Sequence, residues 1–147
     1  MHHKPPIFFE DVAIGQEIPS YVRKSGLMEW NRFAGANEEY FIYHMEDKAA
    51  QAMGGPAVFS MGNLRFAYLY NLLTNWLGQD GDIRRVSCQY RGLHVQEDTL
   101  TCTGKILDKY EKAGEHLVEL EVAIVNQRGE NTAPGNAIVV LPSRSAQ

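Results

Sequence analysis

The 147 residues carry 14 Lys+Arg against 18 Asp+Glu, a net charge of −4 with no basic cluster, which argues against a nucleic-acid partner. Apolar residues make up 44% and charged residues 22%, the balance of an ordinary globular protein, and the length favours one domain spanning residues 1–147. No apolar run approaches the ~20 residues of a membrane span, and the start M-H-H-K-P-P lacks the apolar core of a signal peptide. A cytoplasmic protein with no membrane partner is expected.

In chain order, residues 1–6 are expected to be flexible. Residues 7–18 form an entry segment with a turn at Gly15, and 18–23 a first strand. Leu27, Trp30, Phe33 and Ala34 recur at helical spacing and predict a short amphipathic helix over 27–36. Residues 37–44, N-E-E-Y-F-I-Y-H, follow no period and read as a loop with a helical turn. Good helix formers with acids at their start predict a helix over 46–53, stopped by Gly54-Gly55-Pro56.

The stretch 60–78, S-M-G-N-L-R-F-A-Y-L-Y-N-L-L-T-N-W-L-G, then forms a helix on the order of 25 Å long. Ser60 is placed as its N-cap and Gly78 as its end. Ser60, Asn63, Asn71, Thr74 and Asn75 make a narrow polar side, and the apolar arc over the remainder suits a helix wrapped by a sheet.

Strand patterns follow. Val86, Cys88 and Tyr90 alternate with polar residues over 85–91. Residues 99–107 are rich in β-formers, with a bend or bulge expected at Gly104. Val118, Leu120, Val122 and Ile124 alternate over 116–127, and 136–141 is a last strand before Pro142. The connectors 92–98, 110–115 and 128–129 suit antiparallel neighbours, giving an α+β chain with one helix buried in one curved sheet. The tail 143–147 is expected to fray. Cys88 and Cys102 lie in strand-like segments and are expected to be reduced core residues.

Chemistry-bearing residues gather before the long helix: Asn37, Glu38, Glu39, His44, Glu46 and Asp47. A carboxylate and an imidazole five residues apart on a loop can converge on one water molecule, and His exchanges protons near neutrality. A solvated acidic surface has the same pattern. At the start of the long helix, Gly62 lets a ligand approach exposed amide N–H groups at the positive end of the dipole. It equally lets a strand pass close by. V-F-S-M-G is half of a nucleophile elbow, but Val58 stands where its first glycine is needed, so Ser60 is not taken as a nucleophile. Arg65 either holds a ligand anion or snorkels to water. His94 and His116 read as loop and strand-end residues, and His2 and His3 as part of a disordered start. No phosphate loop, dinucleotide motif or metal-ligand spacing is present, and no cofactor is expected.

The run F-A-G-A-N-E-E-Y-F-I-Y-H-M-E-D-K-A-A-Q-A-M-G-G resembles the signature of MaoC-like dehydratases, which include the (R)-specific enoyl-CoA hydratases. His44 takes the catalytic His position and Glu39 that of the catalytic Asp. Ala50 and Gly54 match downstream, and S-M-G-N-L-R matches the entry into the central helix with Met61 in place of His. Glu38 stands where the family has Gly, and Phe41-Ile42 where it has Asn-Pro. The resemblance covers roughly Phe8 to Pro142.

That resemblance implies a hot-dog fold, an antiparallel sheet curled around one long helix at about 60–77. It also implies reversible addition of water to an enoyl thioester of coenzyme A or of an acyl carrier protein. Glu39 and His44 would hold and activate the water, while Gly62, with Met61 and Ser60 beside it, would bind the thioester. A homodimer or higher oligomer is implied, or a heteromer with a second MaoC-like subunit. The alternatives are a non-catalytic acyl-CoA-binding partner subunit and a hot-dog thioesterase with Glu39 or Glu46 as base. Phe59, Phe66, Tyr68 and Tyr70 are candidates to line or block the acyl pocket.

Overall fold

The computed structural model describes residues 5–146; the expectations for residues 1–4 and for Gln147 lie outside the described residues. Five strands form one antiparallel sheet in the order β1 (Glu17–Lys24), β3 (Thr99–Lys112), β4 (Glu115–Asn126), β5 (Gly135–Val140), β2 (Asp82–Cys88). Three helices precede the last four strands: α1 (Leu27–Asn37), α2 (Asp47–Ala52) and α3 (Gly62–Leu77).

Alternation puts the apolar rows of neighbouring strands on one side of the sheet. Leu100, Cys102 and Ile106 of β3, Val118, Leu120, Val122 and Ile124 of β4, and Ala137 and Val139 of β5 are all buried. They close on Leu69, Leu72, Leu73, Trp76 and Leu77 of α3 in one core. Each such Val, Leu or Ile side chain taken fully out of water contributes about 2 kcal/mol. Among the described residues, no helix is long and apolar enough to cross a membrane.

Several boundaries move, each for a visible reason. The long helix starts at Gly62, not Ser60, and Met61 takes the N-cap position without a side-chain cap. Ser60 cannot cap it, because its hydroxyl is 2.7 Å from His94 Nδ1. The other end stands as expected: Gly78, at φ +69°, closes the helix with its N–H donating to Thr74 O.

The irregularity expected at Gly104 is present: Gly104 pairs with Ile18, and the β1/β3 register shifts between Ile18 and Tyr21, opposite Gly104 and Cys102. A Cβ there would come 2.8 Å from Ile18 Cδ1, so the glycine admits Ile18 to the core, and a second shift, in the β3/β4 pairing, falls between Ile106 and Asp108. Strands β3 and β4 run on through the expected connector to a two-residue turn, Ala113-Gly114, both at positive φ. β2 begins and ends earlier than its pattern, leaving Tyr90 beyond the strand. The tail does not fray over its described part. Ser143 is buried and donates to Glu10, Arg144 pairs with Asp11, and Arg144–Ala146 forms a 3-10 turn.

Candidate functional site

Helix α1 ends where Glu38 turns left-handed (φ +53°, ψ +34°), and the N–H groups of Glu38 and Glu39 both donate back to Ala34 O. That turn throws Glu39 towards α3. Its Oε2 accepts from Asn37 Nδ2 at 3.0 Å and from Asn63 Nδ2, in the first turn of α3, at 3.1 Å.

The loop then tightens into a 3-10 turn, Ile42–His44, which buries the imidazole. His44 Nδ1 lies 2.7 Å from Phe59 O. A carbonyl only accepts, so Nδ1 carries a proton and donates it to Phe59 O, and Nε2 is the nitrogen outside that bond. Tyr43 and Phe59 meet the ring edge-on, at centroid distances of 4.5 and 5.1 Å, and fix its plane.

The connector into α3 is held from three sides. Asp47 Oδ1 accepts from Val58 N at 2.9 Å, His44 holds Phe59, and Ser60 bonds His94 by both backbone and side chain. Glu39 and His44 are therefore each bonded to the five-residue segment 59–63, which carries Gly62 between them. As the first residue of α3, Gly62 presents an N–H with no partner inside the helix, at the positive end of the dipole.

The other predicted binding residues behave differently. Met61 and Ser60 are both buried, Met61 in the core and Ser60 against His94, so only their backbone borders the site. Of the aromatic candidates, Phe59 packs on His44, Tyr68 is buried mid-way along α3 and bonded to Ser25, and Phe66 and Tyr70 pair with one another at 5.3 Å. Glu46 is exposed at the start of α2.

Three participants do not stand out in the sequence. Tyr90, two residues beyond the end of β2, lies against Gly62: a Cβ on Gly62 would come 2.8 Å from the ring. Burial raises the Tyr90 phenol, and the nearby Cys88 and Glu39 add to the shift. Asn63 orients Glu39 from the helix's polar side.

His94 lies in a loop, as its sequence context suggests, yet is fully buried, with the Trp30 ring edge-on at 5.2 Å. Burial first, and the Arg65 charge second, lower its pKa to about 4, so the ring stays neutral. Of the two free cysteines, Cys102 is buried and its thiol is pushed up to about 12, which makes it inert packing. Surface clefts of about 640 and 440 Å³ share Glu121 and include neither Glu39 nor His44. Among the described residues, no cluster of three His, Cys, Asp or Glu side chains is placed to hold a metal ion.

This arrangement of strands and central helix recurs in solved structures. The R-hydratase PhaJ1 from Pseudomonas aeruginosa superposes with a TM-score of 0.83 over 95% of this chain and 88% of its own, at 17% identity. A MaoC-like dehydratase from Rhodospirillum rubrum gives 0.83 over 94% and 98%, at 21% identity. The fold is the hot-dog fold. A chain of the ChsH1-ChsH2 complex from Mycobacterium tuberculosis shares it, with a TM-score of 0.77 over 88% and 98% at 16% identity. No protein-family model and no curated protein matches the sequence. The structural neighbours of this hot-dog chain are thus MaoC-like dehydratases and (R)-hydratases, as the signature resemblance led one to expect.

Proposed function

We propose that this hot-dog chain is a hydratase of acyl thioesters, adding water reversibly to a 2-enoyl thioester of coenzyme A or of an acyl carrier protein. One observation carries the reading: a carboxylate and an imidazole from separate turns are both hydrogen-bonded to the segment that presents Gly62. His44 Nε2 takes a proton from water, because Nδ1–H is held by Phe59 O. Glu39 shares that water through the oxygen its two amide donors do not occupy. The hydroxyl joins the β-carbon, and one of the two groups returns the proton to the α-carbon. Charge that builds on the thioester oxygen meets the Gly62 N–H at the start of α3.

The likeness to MaoC-like dehydratases supports the same chemistry. The exposed run Tyr40, Phe41, Ile42 and Met45 beside the site supports a homodimer or higher oligomer that covers it.

The test follows loss of enoyl-CoA absorbance with wild type, Glu39→Ala and His44→Ala, recording the native mass of the same samples. Each variant should lose about two orders of magnitude or more in kcat. Turnover equal to wild type in both would remove the roles given to them. A second reading, a thioester-binding partner subunit of a heteromeric hydratase, is favoured by the Tyr90 ring packed on Gly62. Binding without turnover by the purified single chain would select it.

A further inference from the structure

Among the described residues, Arg65 is the one lysine or arginine that is buried, at 4% exposure, and no carboxylate pairs with it. It does not snorkel. Nη1 donates to Gly92 O, the half-exposed Tyr90 ring lies over the guanidinium at 5.0 Å, and Nε is buried with no acceptor. The titratable side chains whose charge reaches it favourably are Tyr90 and Cys88, both neutral near pH 7 because burial raises them.

A guanidinium out of water without an anion is costly, and here it sits in the first turn of α3, where the helix dipole also disfavours a cation. A methionine of similar reach would fill the space at no such cost. With Nη1 engaged, the remaining Nε edge offers the side-on donors that a carboxylate takes in bidentate fashion. Of the other two buried side-chain nitrogens without a partner among the described residues, Arg23 Nε and His94 Nε2, the latter is within reach of the Arg65 charge.

Position narrows the anion's source. Gly62 and Arg65 are three residues apart on one face of α3, about 5 Å between neighbours. An acid carried a few carbons beyond a carbonyl bound at Gly62 reaches that point. The phosphates of coenzyme A, a whole pantetheine arm away from the thioester, do not.

We propose that the acyl group taken by this site carries its own carboxylate, and that Arg65 is the counter-ion that receives it beneath Tyr90. The proposal rests on the acyl-thioester reading above. Entry of the carboxylate requires the Tyr90 ring, 47% exposed and over the guanidinium at 5.0 Å, to turn outward.

The test compares glutaryl-CoA with valeryl-CoA, five-carbon saturated thioesters that differ by carboxylate for methyl, in calorimetric binding to the purified full chain. Wild type should prefer glutaryl-CoA by about tenfold or more. Arg65→Met should bring the ratio to about one, and Arg65→Lys should retain part of it. Thermal unfolding of each variant establishes that it is folded, and the Lys variant carries the test should the Met variant fail to fold. Equal binding by wild type, no binding of either thioester, or a preference that survives in Arg65→Met overturns the proposal. Turnover of glutaconyl-CoA and pent-2-enoyl-CoA separates it from the hydratase reading. Equal kcat/KM on both sinks the carboxylate and leaves the hydratase. No turnover of either, with Arg65-dependent binding intact, does the reverse.

Discussion

Acidification should weaken this fold through one residue, His94. The folded ring titrates near pH 4, whereas an unfolded histidine titrates near 6.5. Its pKa is depressed on folding, so between those values the unfolded chain binds a proton that the folded chain refuses. Stability is therefore full above about pH 6.5 and falls as the pH drops towards 4. Taking the two values at face, the loss between pH 7 and pH 5 is about 2 kcal/mol from this group alone. Carboxylates held below their ordinary range, among them Asp98 with its Gln127 and Arg128 hydrogen bonds, act at lower pH and are common to wild type and variant. Urea unfolding followed by Trp30 and Trp76 fluorescence, at pH 7 and pH 5, in wild type and His94→Gln, isolates the effect. Glutamine keeps a polar partner for Ser60 but has no proton to gain, so the variant should lose about 2 kcal/mol less than wild type across that interval. Equal losses in the two proteins would refute the assignment of the acid sensitivity to this buried ring.

Arg65→Met should raise Tm at pH 7, since it removes an uncompensated buried charge at the expense of one hydrogen bond to Gly92 O. The same variant should shrink the acid loss, because the Arg65 charge is one of the causes that depress His94. Glu38→Gly relieves a left-handed non-glycine residue and should add about 0.5–1 kcal/mol in urea unfolding; a loss of stability would mean that the Glu38 side chain contributes more than its strain. Gly135→Ala places a Cβ 2.1 Å from Ser87 O, between paired strands β5 and β2, and should cost about 3 kcal/mol or more, with amide exchange accelerated first in β2.

The parts of this fold legible in the sequence are those set by period. Leu69, Leu72, Leu73 and Trp76 announce a buried helix, and Val118, Leu120, Val122 and Ile124 a strand with one wet face, because burial repeats with the geometry of the element itself. Contacts set by distant residues do not leave that trace. Ser60 has every local qualification of an N-cap, and only the fold brings His94, 34 positions on, to take its hydroxyl. At Tyr110–Lys112 the apolar alternation stops while pairing with Leu117, His116 and Glu115 continues, so the end of β3 leaves no trace in the pattern.

The candidate site divides in the same way. The Glu39/His44 spacing is visible locally and through the family signature, but what aims the two groups, Asn63 and Phe59, lies 24 and 15 residues away. Glu38 itself makes the left-handed turn that a glycine makes without strain, so the chain carries a conformational cost at the residue that directs Glu39. Arg65 is the sharpest case. Near a helix start, snorkelling and burial look identical in sequence, and the outcome depends on the Gly92 carbonyl arriving from a loop beyond β2 to draw the guanidinium inward. A residue whose environment is assembled from such distant pieces, and which still leaves a buried donor unmet, fits recognition of something outside the chain better than packing within it.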